Sequence, residues 1–243
     1  MENAIYIVGI GPGREEFLTG QARTALERCD VIVGYSVYVE LLRAFLPDKE
    51  YRTTGMTKER ERCRLCYSLA LEGRQVALVC SGDAGVYGLA SLTYELSGEY
   101  PGVELFVVPG ITAATSGAAL LGAPLNHDYC VVSLSDLMTP WETIARRLRA
   151  VIEADFAAAL YNPSSRRRAD YLRRACDVML AAGASPERAC GCVENIGRAG
   201  EQTWVGPLCE LHERAVNMFT TVFIGNSTTF IQNGKLVTRR GYR

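Results

Sequence analysis

Apolar positions in the first half of the chain come in short unbroken runs, separated by stretches with helical spacing. AIYIVG at Ala4–Gly9, DVIVG at Asp30–Gly34, QVALVC at Gln75–Cys80 and VELFVV at Val103–Val108 are too short for helices and too apolar for strands with a wet face. They predict strands covered on both sides. Between them, Thr19–Arg28, Val37–Phe45, Lys58–Glu72 and about Leu89–Leu96 carry helical patterns, and Gly73 stops the third. This alternation predicts an α/β fold built on a mostly parallel sheet.

The second half has a different texture. A helix of small residues, Ala113–Leu121, leads into GAPLNHDY. Strands are expected at Cys130–Leu134, Phe156–Leu160, Ala189–Glu194, Gln202–Gly206 and Thr220–Gly225, with helices at Trp141–Ala154 and Ala169–Ala181. A boundary within Leu121–Asn126 divides the chain into an N-terminal α/β domain, 1–121, and a C-terminal α/β domain, 122–243. Each is expected to hold a mixed or mostly parallel sheet with flanking helices.

Three of the apolar runs end in glycine-rich turns: GIGPG, SGDAGVYG and PGITAATSG. The first invites a dinucleotide reading, but G-x-G-x-x-G counted from Gly9 puts Arg14 at the third glycine position, and Pro12 has no N–H to offer a phosphate. In open α/β sheets ligands bind beyond the carboxyl ends of the strands. One such turn merely reverses the chain; three on one rim make a binding site of backbone groups, with Asp83 as the carboxylate among them, suited to accept from hydroxyls, to cap the next helix, or both.

Composition narrows the partners. The 243 residues are 48% apolar with a net charge of −1, which argues against nucleic acid as the default partner. No charge-free apolar run approaches the roughly 18 residues that span a membrane, and a strand at the N-terminus leaves no room for a signal peptide; a cytoplasmic protein is expected. Nine cysteines form a poor disulfide framework. Cys63-x-x-Cys66 and Cys190-x-Cys192 suggest a metal, yet the chain has only His127 and His212 as histidines. Buried reduced thiols, and no metal, are the better reading.

The same residues resemble a family, the tetrapyrrole (corrin/porphyrin) methyltransferases that use S-adenosyl-L-methionine. The resemblance runs from VGIGPG through SGDAGVYG and VPGITAATSGAALLGAP to TTVFIGNS. Within the family, HDYCVVSLSDLMTPWE, ALYNPSSRRR, ENIGRAGE and LVTRRGY are most similar to the branch that methylates C17. Two departures stand out: the family's GDP reads Gly82-Asp83-Ala84, and its TPRGY tail reads Thr238-Arg239-Arg240-Gly241-Tyr242.

The resemblance implies two α/β domains with the cofactor folded into a cleft between them. It implies cofactor contacts at Pro12, Gly82, Asp83, Val86, Tyr87, Thr112, Ala113 and Ser116 from the first part of the chain. From the second it implies Tyr161, Asn162, Cys192, Thr221 and Val222. It implies a tetrapyrrole substrate, precorrin-3B or cobalt-factor III, C17 methylation with ring contraction in cobalamin biosynthesis, and a homodimer. Gly11 and Pro12 would meet the substrate at the mouth.

Methyl transfer from a sulfonium demands positioning, while ring contraction also demands proton movement. His127 and Asp128, in the NHDY segment, and Ser135 are the candidate catalytic residues; two of them also have a structural reading, His127 as a linker residue and Ser135 as part of a cap. Arg166, Arg198 and Arg240 are the candidate partners for substrate carboxylates. A sister enzyme acting at C2, C11 or C20, a non-catalytic binding module, and a cysteine-ligated redox protein remain as other readings.

Overall fold

The computed structural model describes residues 3–165 and 168–242. Its contacts divide the chain into two compact units, Met1–Thr112 and Ala113–Arg243.

The first unit holds strands β1 (Ala4–Gly9), β2 (Val31–Tyr35), β3 (Glu50–Thr54), β4 (Val76–Cys80) and β5 (Glu104–Val108), with helices α1 (Gly20–Arg28), α2 (Ser36–Arg43), α3 (Glu59–Leu71) and α4 (Ala90–Leu96). The sheet runs β3-β2-β4-β1-β5 and its pairings are parallel. Because side chains alternate along a strand, each apolar run serves two cores. Ile5, Ile7, Val31, Val33, Val76 and Leu78 pack against Cys63, Cys66 and Tyr67 of α3. Val8, Ile32, Ala77 and Val79 pack against Leu26 of α1 and Val39 and Leu42 of α2. Thr19 caps α1 by accepting from the Ala22 amide at 3.0 Å. Strand β3, EYRTT, is an edge strand whose charged residues face water, so no apolar run announces it.

The second unit begins with α5 (Ala113–Leu121) and β6 (Gly122–Ala123). It continues through β7 (Tyr129–Ser133), α6 (Trp141–Glu153), β8 (Ala157–Tyr161), α7 (Tyr171–Ala181), β9 (Ala189–Glu194), β10 (Gln202–Pro207), α8 (Leu208–His212), β11 (Thr220–Ile224), β12 (Thr229–Gln232) and β13 (Lys235–Thr238). Its main sheet, β10-β9-β11-β8-β7, is mixed: β7 and β8 are parallel, and the other neighbours run antiparallel. One face is buried by α6, α7 and α8 through Ile144, Leu148, Leu172, Met179 and Leu208.

The other face is buried by α5. Ala114, Ala118 and Leu121 meet Ala159, Val193 and Phe223. This explains the small residues of the helix: a Cβ on Gly117 would lie 2.9 Å from both Ile196 and Phe223. The helix that the sequence pattern assigns to residues 1–121 therefore packs with the residues that follow it. A small sheet, β12-β13-β6, completes the unit, and its hairpin turns through Asn233 and Gly234, both at positive φ.

Candidate functional site

In the first unit the three glycine turns are joined through their backbones. The Gly11 amide donates to the Gly82 carbonyl at 3.0 Å, and the Gly82 amide returns a bond to the Gly11 carbonyl at 2.8 Å. Gly110 lies against both: a Cβ there would sit 2.1 Å from the Gly82 carbonyl oxygen and 2.6 Å from the Gly9 carbonyl carbon. Gly11 and Gly82 take φ of +71° and +69°, where a side chain is strained. The side chain of Asp83 locks the arrangement. Its Oδ1 accepts from the Gly85 amide at 2.7 Å and its Oδ2 from the Gly110 amide at 2.9 Å. Asp83 thus ties two turns together rather than capping α4, whose first residue lies seven positions on.

Beyond this seam the rim opens. Tyr87 is held at φ +55° with its side chain well exposed, and Gly85 is exposed. Val86 and Thr112 are half-buried. No lysine or arginine occurs in 9–12, 81–88 or 109–112, so the rim repels no cation. It offers backbone amides and carbonyls, hydroxyls and an aromatic face. That combination suits an uncharged or cationic ligand that needs placing rather than activating.

In the second unit the polar candidates gather where β7 and β8 end. Ser133 Oγ accepts from the Ser135 amide at 3.2 Å and from Asn162 Nδ2 at 2.9 Å. Arg168 donates to Ser135 Oγ, and at 3.0 Å to Ser165 Oγ, and pairs with Asp136 at 3.5 Å. The Tyr171 hydroxyl donates to Asp136 Oδ2 at 2.5 Å, a bond that pushes the phenol above its ordinary value. Arg174 stacks over Trp141 and Tyr171 at 4.0 and 4.7 Å, so the segment after β7 is held from several sides. Asn162 takes φ +54°, a conformation asparagine tolerates. The Tyr161 hydroxyl accepts from the Ala114 amide at 2.8 Å, and Ser116 is buried two residues further along α5.

Several expected residues lie elsewhere. His127 and Asp128 precede β7, whereas Ser135 follows it, so the three expected catalytic residues do not form one group. Four residue steps of strand, about 13 Å, separate their ends of the sheet. His127 and Asp128 instead border a cavity with Arg240. Cys192 and Val222 point into the core beneath α6–α8, leaving only their backbones for a ligand. Thr221, also buried, lies on the opposite face of β11. Arg198 is half-buried in a loop with Asn195, Gly197 and Gly200 at positive φ, 5.9 Å above the Phe219 ring. Pro12 stays next to the Gly11–Gly82 bridge, and Ala113 opens α5. Arg166 lies outside the described residues.

Tyr171 is the residue that sequence reasoning passes over. Its partner Asp136 is 35 residues away, and nothing local in ADYLRR signals the contact.

All nine cysteines are free thiols. Burial raises Cys66 well above the ordinary range and Cys80 to about 11, so these thiols stay protonated and unreactive. Among the described residues no group of three His, Cys, Asp or Glu side chains could hold a metal ion.

Comparison with known proteins gives the same direction. The family described as Tetrapyrrole (Corrin/Porphyrin) Methylases matches residues 4–212. A probable cobalt-factor III C(17)-methyltransferase of Salmonella typhimurium is 46% identical over 237 residues, covering 97% of this chain and 98% of the relative. The crystal structure of the methyltransferase CobJ superposes with a TM-score of 0.90 at 33% identity, covering 98% of this chain and all of that one. The uroporphyrin-III C-methyltransferase of Thermus thermophilus, solved with S-adenosyl homocysteine, shares the fold with a TM-score of 0.74 at 22% identity, over 91% of this chain and 97% of its own.

Proposed function

The chain belongs to the tetrapyrrole (corrin/porphyrin) methylase family, and on that premise we propose that it transfers a methyl group from S-adenosyl-L-methionine to C17 of a corrin precursor, cobalt-factor III or precorrin-3B, with contraction of the ring in cobalamin biosynthesis. The observation that carries the proposal is the end-to-end likeness to the Salmonella typhimurium relative, at 46% identity.

The residues present fit this cofactor. When bound, it supplies a methyl group on a sulfonium, and the positive charge vanishes as the methyl leaves. A rim free of lysine and arginine accepts such a cation, and the exposed Tyr87 ring offers a flat surface for an adenine. Asp83, with both oxygens occupied by amides, acts by fixing the shape of the rim. Thr112 supplies a hydroxyl. In the second unit Tyr161 and Asn162 stand on the segment that Ser133 and Arg168 hold in place. Placing methyl donor and ring carbon in line is then the main contribution to rate. Ser135 and Asp136 are the polar groups of this segment best placed to hold or pass a proton during contraction.

The reading carries with it a homodimer working in the cytoplasm. Among the described residues no helix is long and apolar enough to cross a membrane.

The test is a pair of incubations with S-adenosyl-L-methionine and either cobalt-factor III or precorrin-3B, followed by mass and ultraviolet-visible spectra. Gain of one methyl with the spectrum of a contracted ring is expected, and carbon-13 labelling locates it at C17. A methyl at C2, C11 or C20, or cofactor binding without product, would overturn the assignment.

A further inference from the structure

We propose that the second unit carries an additional binding site, for a small oxyanion bearing phosphate or carboxylate groups, in the cavity of about 440 Å³ bordered by His127, Asn226, Thr228, Arg239 and Arg240. The cavity opens where the chain enters β7 and β8, and Asn226 follows β11, which runs antiparallel to β8. The Ser133–Asn162 cluster sits where β7 and β8 end, so the two places lie on opposite edges of the sheet.

Asn226 carries the argument. It is 5% exposed, and its Oδ1 accepts from the Thr228 amide at 3.0 Å, the Thr228 hydroxyl at 2.8 Å and the Thr229 hydroxyl at 3.2 Å. The Thr228 amide can only donate, so it fixes which way the Asn226 amide faces and leaves Nδ2 over. Among the described residues Nδ2 has no acceptor, and no fully enclosed side-chain nitrogen or oxygen lacks a partner, so Nδ2 faces the cavity. That amide N–H is a fixed donor at the cavity wall, ready for a ligand oxygen.

The other groups around the cavity are also donors. His127 Nδ1 accepts from the Asp128 amide at 2.8 Å; assigned from that bond, the neutral ring carries its proton on Nε2. Arg239 is steadied by stacking 4.8 Å over Phe230, and Arg240 forms no ion pair among the described residues. Two carboxylates border the cavity, but Asp155 is already committed. Its Oδ1 takes Arg188 at 3.0 Å and the Ser227 amide at 2.8 Å, and its Oδ2 takes the Ser227 hydroxyl at 2.5 Å. Asp128 turns one carboxylate oxygen to its own neighbour, 3.4 Å from His127 Nδ1. Two guanidinium groups and an amide N–H therefore outnumber the acids that border the cavity. That balance selects an anion with several acceptor oxygens, in a cavity of ordinary small-molecule size.

The test is calorimetric titration of the intact protein with inorganic pyrophosphate and, separately, with citrate. Saturable binding of at least one is expected. Arg240→Ala should weaken it about tenfold and the Arg239→Ala/Arg240→Ala pair further, with unchanged melting temperatures because both side chains are exposed. Asn226→Asp keeps the acceptor that holds Thr228 and Thr229 but replaces the donor with a carboxylate oxygen, and should abolish binding. Absence of saturable binding to both probes, or binding that survives the arginine pair and Asn226→Asp, overturns the site.

A preference for pyrophosphate assigns a phosphate ligand. A preference for citrate, with a raised KM for the tetrapyrrole in the arginine pair, assigns the carboxylates of the substrate itself. Only that last readout rests on the proposed methyl transfer; the binding measurements stand without it.

Discussion

Asp83 Oδ2 and the amide of Gly110 are 2.9 Å apart across 27 residues of sequence, and this bond holds the turn after β4 to the turn after β5. The carboxylate shapes the rim instead of reaching out from it. Asp83→Asn puts an NH2 against one of two backbone N–H groups that need an acceptor. A loss of about 1 kcal/mol in denaturant unfolding is expected, the net worth of one hydrogen bond, together with weaker cofactor binding by calorimetry. Weaker binding with unchanged stability would instead make Asp83 a direct ligand.

Gly110→Ala should cost more than about 3 kcal/mol, because backbone atoms cannot yield to its Cβ. Gly85→Ala is the comparison. Its Cβ meets only Asp83 Oδ1, at 3.3 Å, so the melting temperature should fall far less. Equal effects at the two positions would refute the packed seam.

Tyr171→Phe removes the hydroxyl that Asp136 accepts, and about 1 kcal/mol of stability is expected to go with it. If the segment after β7 receives the macrocycle, the same substitution raises KM for the tetrapyrrole while the affinity for S-adenosyl-L-methionine holds. A fall in stability with both constants unchanged would confine Tyr171 to a structural role.

His212 is held between Asp177 at 2.8 Å and Glu213 at 2.5 Å, and the bond to Asp177 above all raises its pKa over the ordinary 6.5. The protonated ring stabilises the fold. That contribution is fully present below pH 6.5 and fades as pH rises through the raised folded value. Urea midpoints measured from pH 5.5 to 8.5 should therefore decline in the native protein more than in His212→Gln. Parallel curves would show that the two carboxylates contribute nothing.

The parallel sheet was legible because its apolar runs must fill two cores at once. β3 was not, since an edge strand with wet faces needs no apolar residues. The β12–β13 hairpin had a signal in Asn233-Gly234, the dipeptide suited to a two-residue turn with positive φ at both positions. Helix α5 has a small apolar surface that suits either neighbour, and only the approach of Gly117 to Phe223 decides its place. The three turns were visible as a set, but the use of Asp83 was not, because its partner is a backbone amide that any residue could offer. His127 and Ser135 are close in sequence and are placed at opposite edges by the strand between them.

The contacts among Gly9, Gly82 and Gly110 join backbone to backbone, which limits how this chain can change over generations. A crowded side chain can be relieved by shrinking its neighbour, but here the neighbour is a peptide group and has nothing to shrink. No second substitution rescues the first. A randomised library selected only for folding should return glycine at positions 9 and 110, even among variants that have lost every trace of methyl transfer.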